Sequence, residues 1–484
     1  MKAIRTHFRQ KCRLVLVTTG FLLTWACPAS AQTVTFPDPN LEAAVREWLG
    51  APNGDITRPD MQRLTDLIMY SRNITDLTGL EWASYLQNLQ IYNFKGPSLT
   101  NAAALTSLTN LTDLMLNSCG FSNLALLSGL SNLQSLDLAR NELTDISALT
   151  NLSSLTTLSL SGNHVTNVAT LAGLPNLSTL DVGANRIADI SFATGLTNVA
   201  NLNLNNNPIT NHAALADARQ FKFLGLRNTR LQDISFLAAQ RTNLTGLDLG
   251  FNAITNPCVV SELNSLDTLD LSYTGLRDVS CVSSLTNLTS INVDGNNLAD
   301  VSPLTALTHL EALWLRREQL LDLPPIAALT NLHVIALDSN HLRDLNALAG
   351  ATQLAWVSAS YNDLQDISAL VSLDNLFKVE ISENLLDLSP DSPTMTVIST
   401  LKSRGVDVHY SPQRAPLLSV PQWLGSDQFR LTVTAPIGQT FDLQASADFT
   451  NWITLDTVTN ADGTHLFTAP ATNQPAWFYR VRQW

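Results

Sequence analysis

Charged residues are scarce in this chain: they make up 14% of its 484 residues, whereas apolar residues make up 45%. Such an apolar content excludes a disordered protein and is ample for a large core. Basic residues are also in the minority, because 28 Lys and Arg oppose 41 Asp and Glu and leave a formal net charge of −13. Nucleic-acid binding needs clustered basic side chains to meet phosphates, so we expect no nucleic-acid partner.

Cysteine is also rare, with five residues in the whole chain. Three of them, Cys119, Cys258 and Cys281, lie beyond residue 31. So few cannot form a disulfide scaffold, and hydrophobic burial must therefore hold the fold together.

Long apolar runs are missing beyond the N-terminus, so we expect no transmembrane segment, which would need about 20 apolar residues. The N-terminus itself has a basic start, then the run LVLVTTGFLLTWA and the small residues Ala29–Ala31. This pattern predicts a secretory signal peptide over 1–31, cleaved near Ala31, and a secreted or cell-surface protein. A lipoprotein signal ending at Cys27 is less favoured, because bulky Trp25 lies where a small residue is expected.

Leucine, in contrast, recurs at a fixed period. From Leu133 the chain follows the template L-x-x-L-x-L-x-x-N-x-L, through Leu136, Leu138, Asn141 and Leu143. The template restarts at Leu111, Leu155, Leu177, Val199, Phe221, Leu244, Leu266, Leu288, Leu310, Leu332, Leu354 and Leu376. Every step is 22 residues except one of 23, and two looser copies begin at Leu64 and Leu86, which makes 15. This regularity identifies a leucine-rich repeat array.

Each copy predicts one short strand and a tight turn. Positions 4 and 6 should point inward and positions 3, 5 and 7 outward, while strands of successive repeats stack in parallel. Asparagine at position 9 can satisfy backbone groups in the turn. It recurs as Asn141, Asn163, Asn185, Asn207, Asn252, Asn296, Asn340, Asn362 and Asn384. Thr229, Thr274 and Cys119 are plausible smaller substitutes, but Glu318 is not, so we expect a local distortion there.

The return segment of each repeat begins with an Asp-Ile-Ser type of step at position 13. Asp placed there can cap a helical turn, and the short segment fits a 3₁₀ turn better than an α-helix. The carboxylates concerned are Asp145, Asp189, Asp233, Asp278, Asp300, Asp322, Asp344 and Asp366. A column of this kind could attract cations, but capping is the favoured interpretation.

Both ends of the array need a cap, since a terminal repeat would otherwise expose its apolar face. Residues 32–63 predict a helical N-terminal cap, with Asn40 as N-cap. One helical face would carry Leu41, Ala44, Val45, Trp48 and Leu49.

The repeats span 64–388, and residues 389–411 predict a C-terminal cap. Its helix runs from about Pro393 to Arg404, Gly405 is the stop signal, and Val406 to Tyr410 form a last strand.

Beyond the proline-marked linker SPQRAPLLSVP the period vanishes. Alternating and aromatic runs over 412–484 predict a small all-β, sandwich-like domain. Its large aromatics are Trp452, Phe467, Trp477 and Phe478, which favour a core role over a ligand platform.

The consensus, together with the pairing of FPDPNLEAAVREWL with DIT and LTDL, resembles the leucine-rich domain of the bacterial internalins over residues 34 to about 388. The resemblance implies an α/β solenoid: a right-handed horseshoe with a parallel β-sheet on its concave face and 3₁₀ or irregular structure on the convex side. In that family the concave face binds host cell-surface proteins. The chain departs from the family in its C-terminal part and in lacking an L-P-x-T-G sorting motif.

Catalytic signatures are absent from the sequence, including H-E-x-x-H, G-x-S-x-G, the P-loop, G-x-G-x-x-G and C-x-x-C. Histidines are scattered, and His309 and His333 fall at different repeat positions, so they should not stack. We therefore expect no enzyme, no metal and no cofactor. Cys258 and Cys281, at positions 15 and 16 of neighbouring repeats, could form a disulfide or remain two buried thiols.

Outward positions 3, 5, 7 and 8 can vary without breaking the array. In repeats 8 to 14 they carry aromatic and arginine side chains, the types that dominate binding hot spots. These are Phe223, Arg227, Phe251, Tyr273, Trp314, Arg316, Arg317, Trp356 and Tyr361. The alternative is ordinary packing between adjacent coils. We predict a monomeric recognition protein that binds a protein ligand on the concave face; a glycan or cell-envelope ligand, or a purely structural surface role, are the alternatives.

Overall fold

The computed structural model describes residues 32–70, 72–93, 96–240, 243–414, 417–419, 422–423, 428–435, 438–447, 449–461, 464–470 and 478–483. The predicted signal peptide and Trp477 lie outside this part of the chain. Within it, no helix has the length and apolar character needed to span a bilayer. Sixteen short parallel strands follow one another in chain order, and 3₁₀ turns lie between most of them, which is the predicted leucine-rich repeat solenoid. The chain divides into two compact units, 1–142 and 143–484.

The first unit contains the N-terminal cap, three repeats and the strand of the fourth. Its elements are α1 (Pro39–Leu49), α2 (Arg58–Met61), β1 (Asp66–Tyr70), β2 (Asn88–Tyr92), β3 (Asp113–Asn117) and β4 (Ser135–Asp137). The strands pair in parallel, and the register places Leu67, Leu89, Leu114 and Leu136 side by side. All four leucines are buried, as position 4 of the template predicts.

The cap helix differs from the prediction in two respects. Its N-cap is Asp38, not Asn40: the Asp38 carboxylate accepts hydrogen bonds from the backbone N–H groups of Asn40 and Leu41. The same carboxylate accepts from the Thr75 backbone N–H at 2.6 Å, which ties α1 to the first repeat. Trp48 is 45% exposed and does not belong to the buried face.

The second unit carries the remaining repeats, each with a three-residue strand. These are β5 (Thr157–Ser159), β6 (Thr179–Asp181), β7 (Asn201–Asn203), β8 (Phe223–Gly225), β9 (Gly246–Asp248), β10 (Thr268–Asp270), β11 (Ser290–Asn292), β12 (Ala312–Trp314), β13 (Val334–Ala336), β14 (Trp356–Ser358) and β15 (Lys378–Glu380). The return segments contain 3₁₀ turns such as Ser191–Gly195, where Asp189 accepts a hydrogen bond from the Ser191 N–H. The capping role predicted for the position-13 aspartates is thus present in seven repeats. Asp322 is the exception, because Pro324 lies at the donor position and has no N–H.

A ladder of buried asparagines holds successive turns together. Asn252 is representative: its Oδ1 accepts from the N–H groups of Thr229 and Leu231, and its Nδ2 donates to the carbonyls of Leu226 and Leu249. Each rung therefore satisfies backbone groups of its own repeat and of the preceding one.

Glu318 keeps the acceptor half of this ladder, so the predicted distortion does not reach these hydrogen bonds. Its carboxylate accepts hydrogen bonds from the backbone N–H groups of Asn296 and Leu298 at 2.9 and 2.6 Å, as an asparagine rung would. The side chain is only 2% exposed. The extra methylene of glutamate is accommodated without loss of the acceptor role.

The C-terminal end of the array is closed by α3 (Pro393–Ser403), capped by Ser392, and by the last parallel strand β16 (Asp407–His409). The predicted linker contributes to this end. Gln413 Oε1 accepts from the N–H groups of Asn384 and Leu386, which makes Gln413 a final rung of the ladder.

Antiparallel strands follow, as predicted. One sheet contains β17 (Leu417–Leu418), β18 (Gln422–Trp423), β19 (Gln428–Thr434) and β22 (Thr464–Pro470); the other contains β20 (Thr440–Ser446), β21 (Ile453–Thr459) and β23 (Phe478–Gln483). Buried apolar side chains include Leu431, Val433 and Phe441, and the predicted core residue Phe467 packs against Leu431.

Candidate functional site

The predicted site residues all lie in the second unit, on the surface that we call the strand face, which is formed by the side chains at repeat positions 3, 5, 7 and 8. Phe223 and Trp356 occupy position 3, Trp314 occupies position 5, and Arg227 and Arg316 occupy position 7. Phe251, Tyr273, Arg317 and Tyr361 occupy position 8. Because neighbouring strands pair in register, residues at one position in successive repeats form a column across the sheet.

Position 8 has a backbone conformation that the sequence analysis missed. Phe251, Tyr273, Arg317 and Tyr361 have φ between 53° and 58°, in the left-handed region. In repeat 5 the same position is occupied by Gly162, and glycine adopts this conformation without steric cost. Large side chains there cost about 1 kcal/mol each or more.

Four of the predicted residues form a continuous row over repeats 8 to 12. The Arg227 guanidinium lies 4.3 Å from the centre of the Phe251 ring, and that ring stacks on Tyr273 with 4.4 Å between centroids. Arg317 Nη1 donates a hydrogen bond of 2.8 Å to the Tyr273 hydroxyl oxygen. We call Arg227, Phe251, Tyr273 and Arg317 the aromatic row. Phe251 remains 45% exposed in it.

Carboxylates that the sequence analysis did not select neutralise the two position-7 arginines. Arg227 Nη1 lies 3.0 Å from Asp270 Oδ2 and 3.9 Å from Asp248. Arg316 Nε donates to Asp338 Oδ2 at 3.1 Å, and its Nη1 lies 3.9 Å from Asp294. Both arginines thus make contacts between repeats of the kind that the packing alternative describes. Asp at positions 5 and 7 near Arg at position 7 is the sequence signal that would have found these pairs.

Between Phe223 and Trp314 the strand face is hollow. Repeats 9 to 11 carry small residues there, and the resulting basin has a volume of about 290 Å³. Phe223 and Trp314 line opposite ends, and its other lining residues include Asp248, Asp270 and Asn292. We call this depression the basin.

Glycines allow the large side chains around the basin to lie flat. A Cβ atom at Gly246 would come within 2.8 Å of the Phe223 ring, and one at Gly250 would come within 2.5 Å of Arg227 Nη1. The positions of the Phe223 ring and of the Arg227 guanidinium therefore depend on the absence of side chains at Gly246 and Gly250.

The electrostatics of the basin favour added positive charge. Burial raises the pKa of Asp248 above its ordinary value, and the neighbouring Asp270 carboxylate adds to the increase. Burial likewise raises the pKa of Asp294. Burial therefore makes the ionised form of both carboxylates less favourable than it is in water, and a cation placed beside Asp248 would stabilise that form.

Trp356 and Tyr361 lie further along the array than the aromatic row. Trp356 Nε1 donates to Glu380 Oε2 at 3.2 Å, and Lys378 Nζ lies 5.4 Å from the centre of the Trp356 ring. Tyr361 is 59% exposed. Trp356 is thus engaged with the following repeat, which is the packing that the alternative interpretation describes.

The cysteines lie away from the strand face. Cys258 and Cys281 are joined in a disulfide between the 3₁₀ turns of repeats 9 and 10, with their Cα atoms 5.2 Å apart. Cys119 is buried and outside any disulfide, and burial raises its pKa to about 12. Within the described ranges, no group of three or more His, Cys, Asp or Glu side chains is arranged to hold a metal ion.

Comparisons with known proteins identify the repeats. A model described as leucine rich repeats (2 copies) matches residues 153–194, and a leucine rich repeat model matches residues 109–165. The chain therefore carries leucine-rich repeats, a scaffold typical of non-enzymatic, protein-binding domains. Comparison with curated protein sequences finds no match.

Two solved bacterial structures share this fold. A leucine-rich repeat protein of Leptospira interrogans is 22% identical with a TM-score of 0.55, over 72% of this chain and 97% of that one. The functional domain of InlJ from Listeria monocytogenes, which includes a cysteine ladder, is 18% identical with a TM-score of 0.53, over 84% and 97%. At these identities the likeness shows the fold alone.

Proposed function

We propose that this chain is a non-enzymatic recognition protein that binds a protein ligand through the strand face of repeats 8 to 12. The aromatic row would be the centre of the contact. A secreted or cell-surface location, reached through the predicted signal peptide, is part of the same proposal. The scaffold supports it, because leucine-rich repeat domains typically bind proteins.

The observation that carries the proposal is the exposed stack of Phe251 on Tyr273. Aromatic and arginine side chains are enriched in binding hot spots because they bury much area with little loss of conformational freedom. Arg227 and Arg317 brace the stack from both ends, so it is ordered before a ligand arrives. Preorganisation of this kind reduces the entropic cost of binding.

Stability alone does not account for these residues. Both aromatics lie in the left-handed backbone region, where the same position in other repeats has Asn206 or Asn228. Asparagine adopts this conformation more readily than a bulky side chain. The chain thus retains two costly aromatics, the exposed Phe251 and the half-buried Tyr273, where a better-suited residue occurs elsewhere in the array.

The test compares ligand capture by the full chain and by the variant Phe251→Asn/Tyr273→Asn. The matched control is Phe377→Asn, because Phe377 is 60% exposed but lies at position 2, outside the strand face. Each protein is immobilised and exposed to a cell-surface protein fraction and to a glycan array, and bound material is quantified by mass spectrometry or fluorescence. Circular dichroism checks that all three proteins are folded.

We expect protein partners that bind the parent and the control but lose at least about tenfold in recovery with the double variant, equivalent to about 1.4 kcal/mol. Partners retained equally by all three proteins would refute the site. Glycans lost with the double variant, in the absence of protein partners, would support the glycan alternative. If neither a protein nor a glycan binds, the proposal fails and the purely structural role is favoured.

A further inference from the structure

The basin beside the aromatic row is large enough for a single long side chain. It lies across repeats 9 to 11, and neighbouring strands are about 4.8 Å apart. Its ends are the aromatic walls Phe223 and Trp314, while its polar lining includes Asp248 and Asp270. Its volume of about 290 Å³ is too small for a packed secondary-structure element but sufficient for one long side chain.

The charges at the basin disfavour an anionic occupant. Asp248 and Asp270 are the charged residues of its lining, and both are acids. The Arg227 guanidinium beside them is already engaged by both carboxylates.

Asp248 also has the capacity to accept from a ligand. One of its oxygens accepts from the Gly250 N–H and the other from Asn205 Nδ2. A carboxylate offers about four acceptor sites, so each oxygen of Asp248 can take a further donor. An ammonium or guanidinium group would supply such donors together with the missing positive charge.

We propose that the basin receives a lysine or arginine side chain from an extended segment of the protein ligand, with its cationic head at Asp248 and Asp270 and its aliphatic stem against the Phe223 ring, one strand away from Asp248. Aromatic walls suit such a stem, since apolar surface covers the methylenes and ring faces attract the cation. The inference rests on the proposed function and specifies its ligand.

The experiment selects binders from a library of random 12-residue peptides displayed on phage, with the full chain as bait. Selected peptides are synthesised in pairs that differ only by Lys→norleucine, a change that keeps the stem and removes the charge. Affinities are measured for the parent, for Asp248→Asn, for the aromatic-row variant Phe251→Asn/Tyr273→Asn, and for the matched control Asp278→Asn. The glycan array is repeated with Asp248→Asn. Asp278 is an exposed turn carboxylate in repeat 10, away from the strand face.

A second variant tests the basin independently, in case Asp248→Asn does not fold. Thr268→Lys places a tethered ammonium at an exposed position on the lining of the basin and should block it by self-occupancy. We expect selected peptides to be enriched in Lys or Arg, and norleucine analogues to bind the parent about tenfold more weakly. Asp248→Asn should abolish the difference within each peptide pair, Thr268→Lys should weaken the lysine peptides, and Asp278→Asn should change nothing.

The outcomes distinguish this inference from the proposed function. Peptides that require Phe251 and Tyr273 but show no Lys or Arg enrichment, or tolerate norleucine, would overturn the inference and leave the proposed function standing. Peptides insensitive to the aromatic row and to Asp248 alike, or no selected peptide at all, would count against both. Glycan binding that is lost with Asp248→Asn would assign the basin to a sugar and overturn the inference.

Discussion

Glu318 makes the stability of the array depend on pH in a way that its asparagine rungs do not. Burial raises the pKa of the Glu318 carboxyl from 4.5 to about 7, and Asp294 adds to the increase, although the hydrogen bonds from Asn296 and Leu298 oppose it. The folded protein therefore holds a proton on Glu318 that the unfolded chain releases. The variant Glu318→Gln keeps an acceptor oxygen and removes this titration.

The sign and size of the effect follow from linkage. Below pH 4.5 both states are protonated, and Glu318 carries no penalty. As pH rises from 4.5 to about 7 the unfolded chain ionises first, so the free energy of unfolding falls by about 1.4 kcal/mol per pH unit. Above pH 7 the penalty is constant at about 3 kcal/mol. Glu318→Gln should therefore be the more stable protein at pH 8 and should lose this advantage at pH 4.5.

Two measurements check this prediction. Urea unfolding of the parent and of Glu318→Gln between pH 4.5 and 8 gives the difference in stability, and amide exchange of Asn296 and Leu298 reports the local opening of the rung. The control is Glu311→Gln, which removes an exposed carboxylate from the same repeat. Parallel pH profiles for the parent and Glu318→Gln would refute the reasoning.

Two further predictions concern the scaffold. Asn252→Ala should destabilise the protein by about 3 kcal/mol, because it leaves the buried N–H groups of Thr229 and Leu231 without acceptors. Urea unfolding measures this loss. The control Asn287→Ala removes an exposed turn side chain and should change the free energy of unfolding by less than about 0.5 kcal/mol. Reducing the Cys258–Cys281 disulfide, whose cysteines are 23 residues apart, should cost about 3 kcal/mol, and an unchanged melting temperature after reduction would contradict its role in holding these repeats together.

The solenoid could be predicted because its signal is local and repeated. Inward residues such as Leu158 and Leu180 recur with the period, and each copy needs the next to bury them. The position of the C-terminal helix followed from proline and glycine near its ends, since those residues act on the backbone over a few positions.

Other features were wrong or missed because they depend on partners distant in sequence. Asp38 displaces Asn40 as the N-cap partly through its bonds to Thr75, 37 residues away. Glu318 serves as a rung because the N–H groups of Asn296 and Leu298, at 22 and 20 residues' separation, converge on its carboxylate. A template built from one repeat does not include contacts between residues that are 20 to 37 positions apart in the chain.

The amino-acid sequence by itself determined the architecture, because the leucine period, the asparagine turns and the terminal helix signals are properties of neighbouring residues. It also selected the side chains of the strand face by their positions in the repeat. Only the tertiary structure decided which of them make contacts between repeats and which remain exposed. Parallel register brings Arg227 to Asp270 across 43 residues and leaves Phe251 and Tyr273 stacked at the surface. That partition depends on contacts between repeats, so it arises only when the coils are stacked.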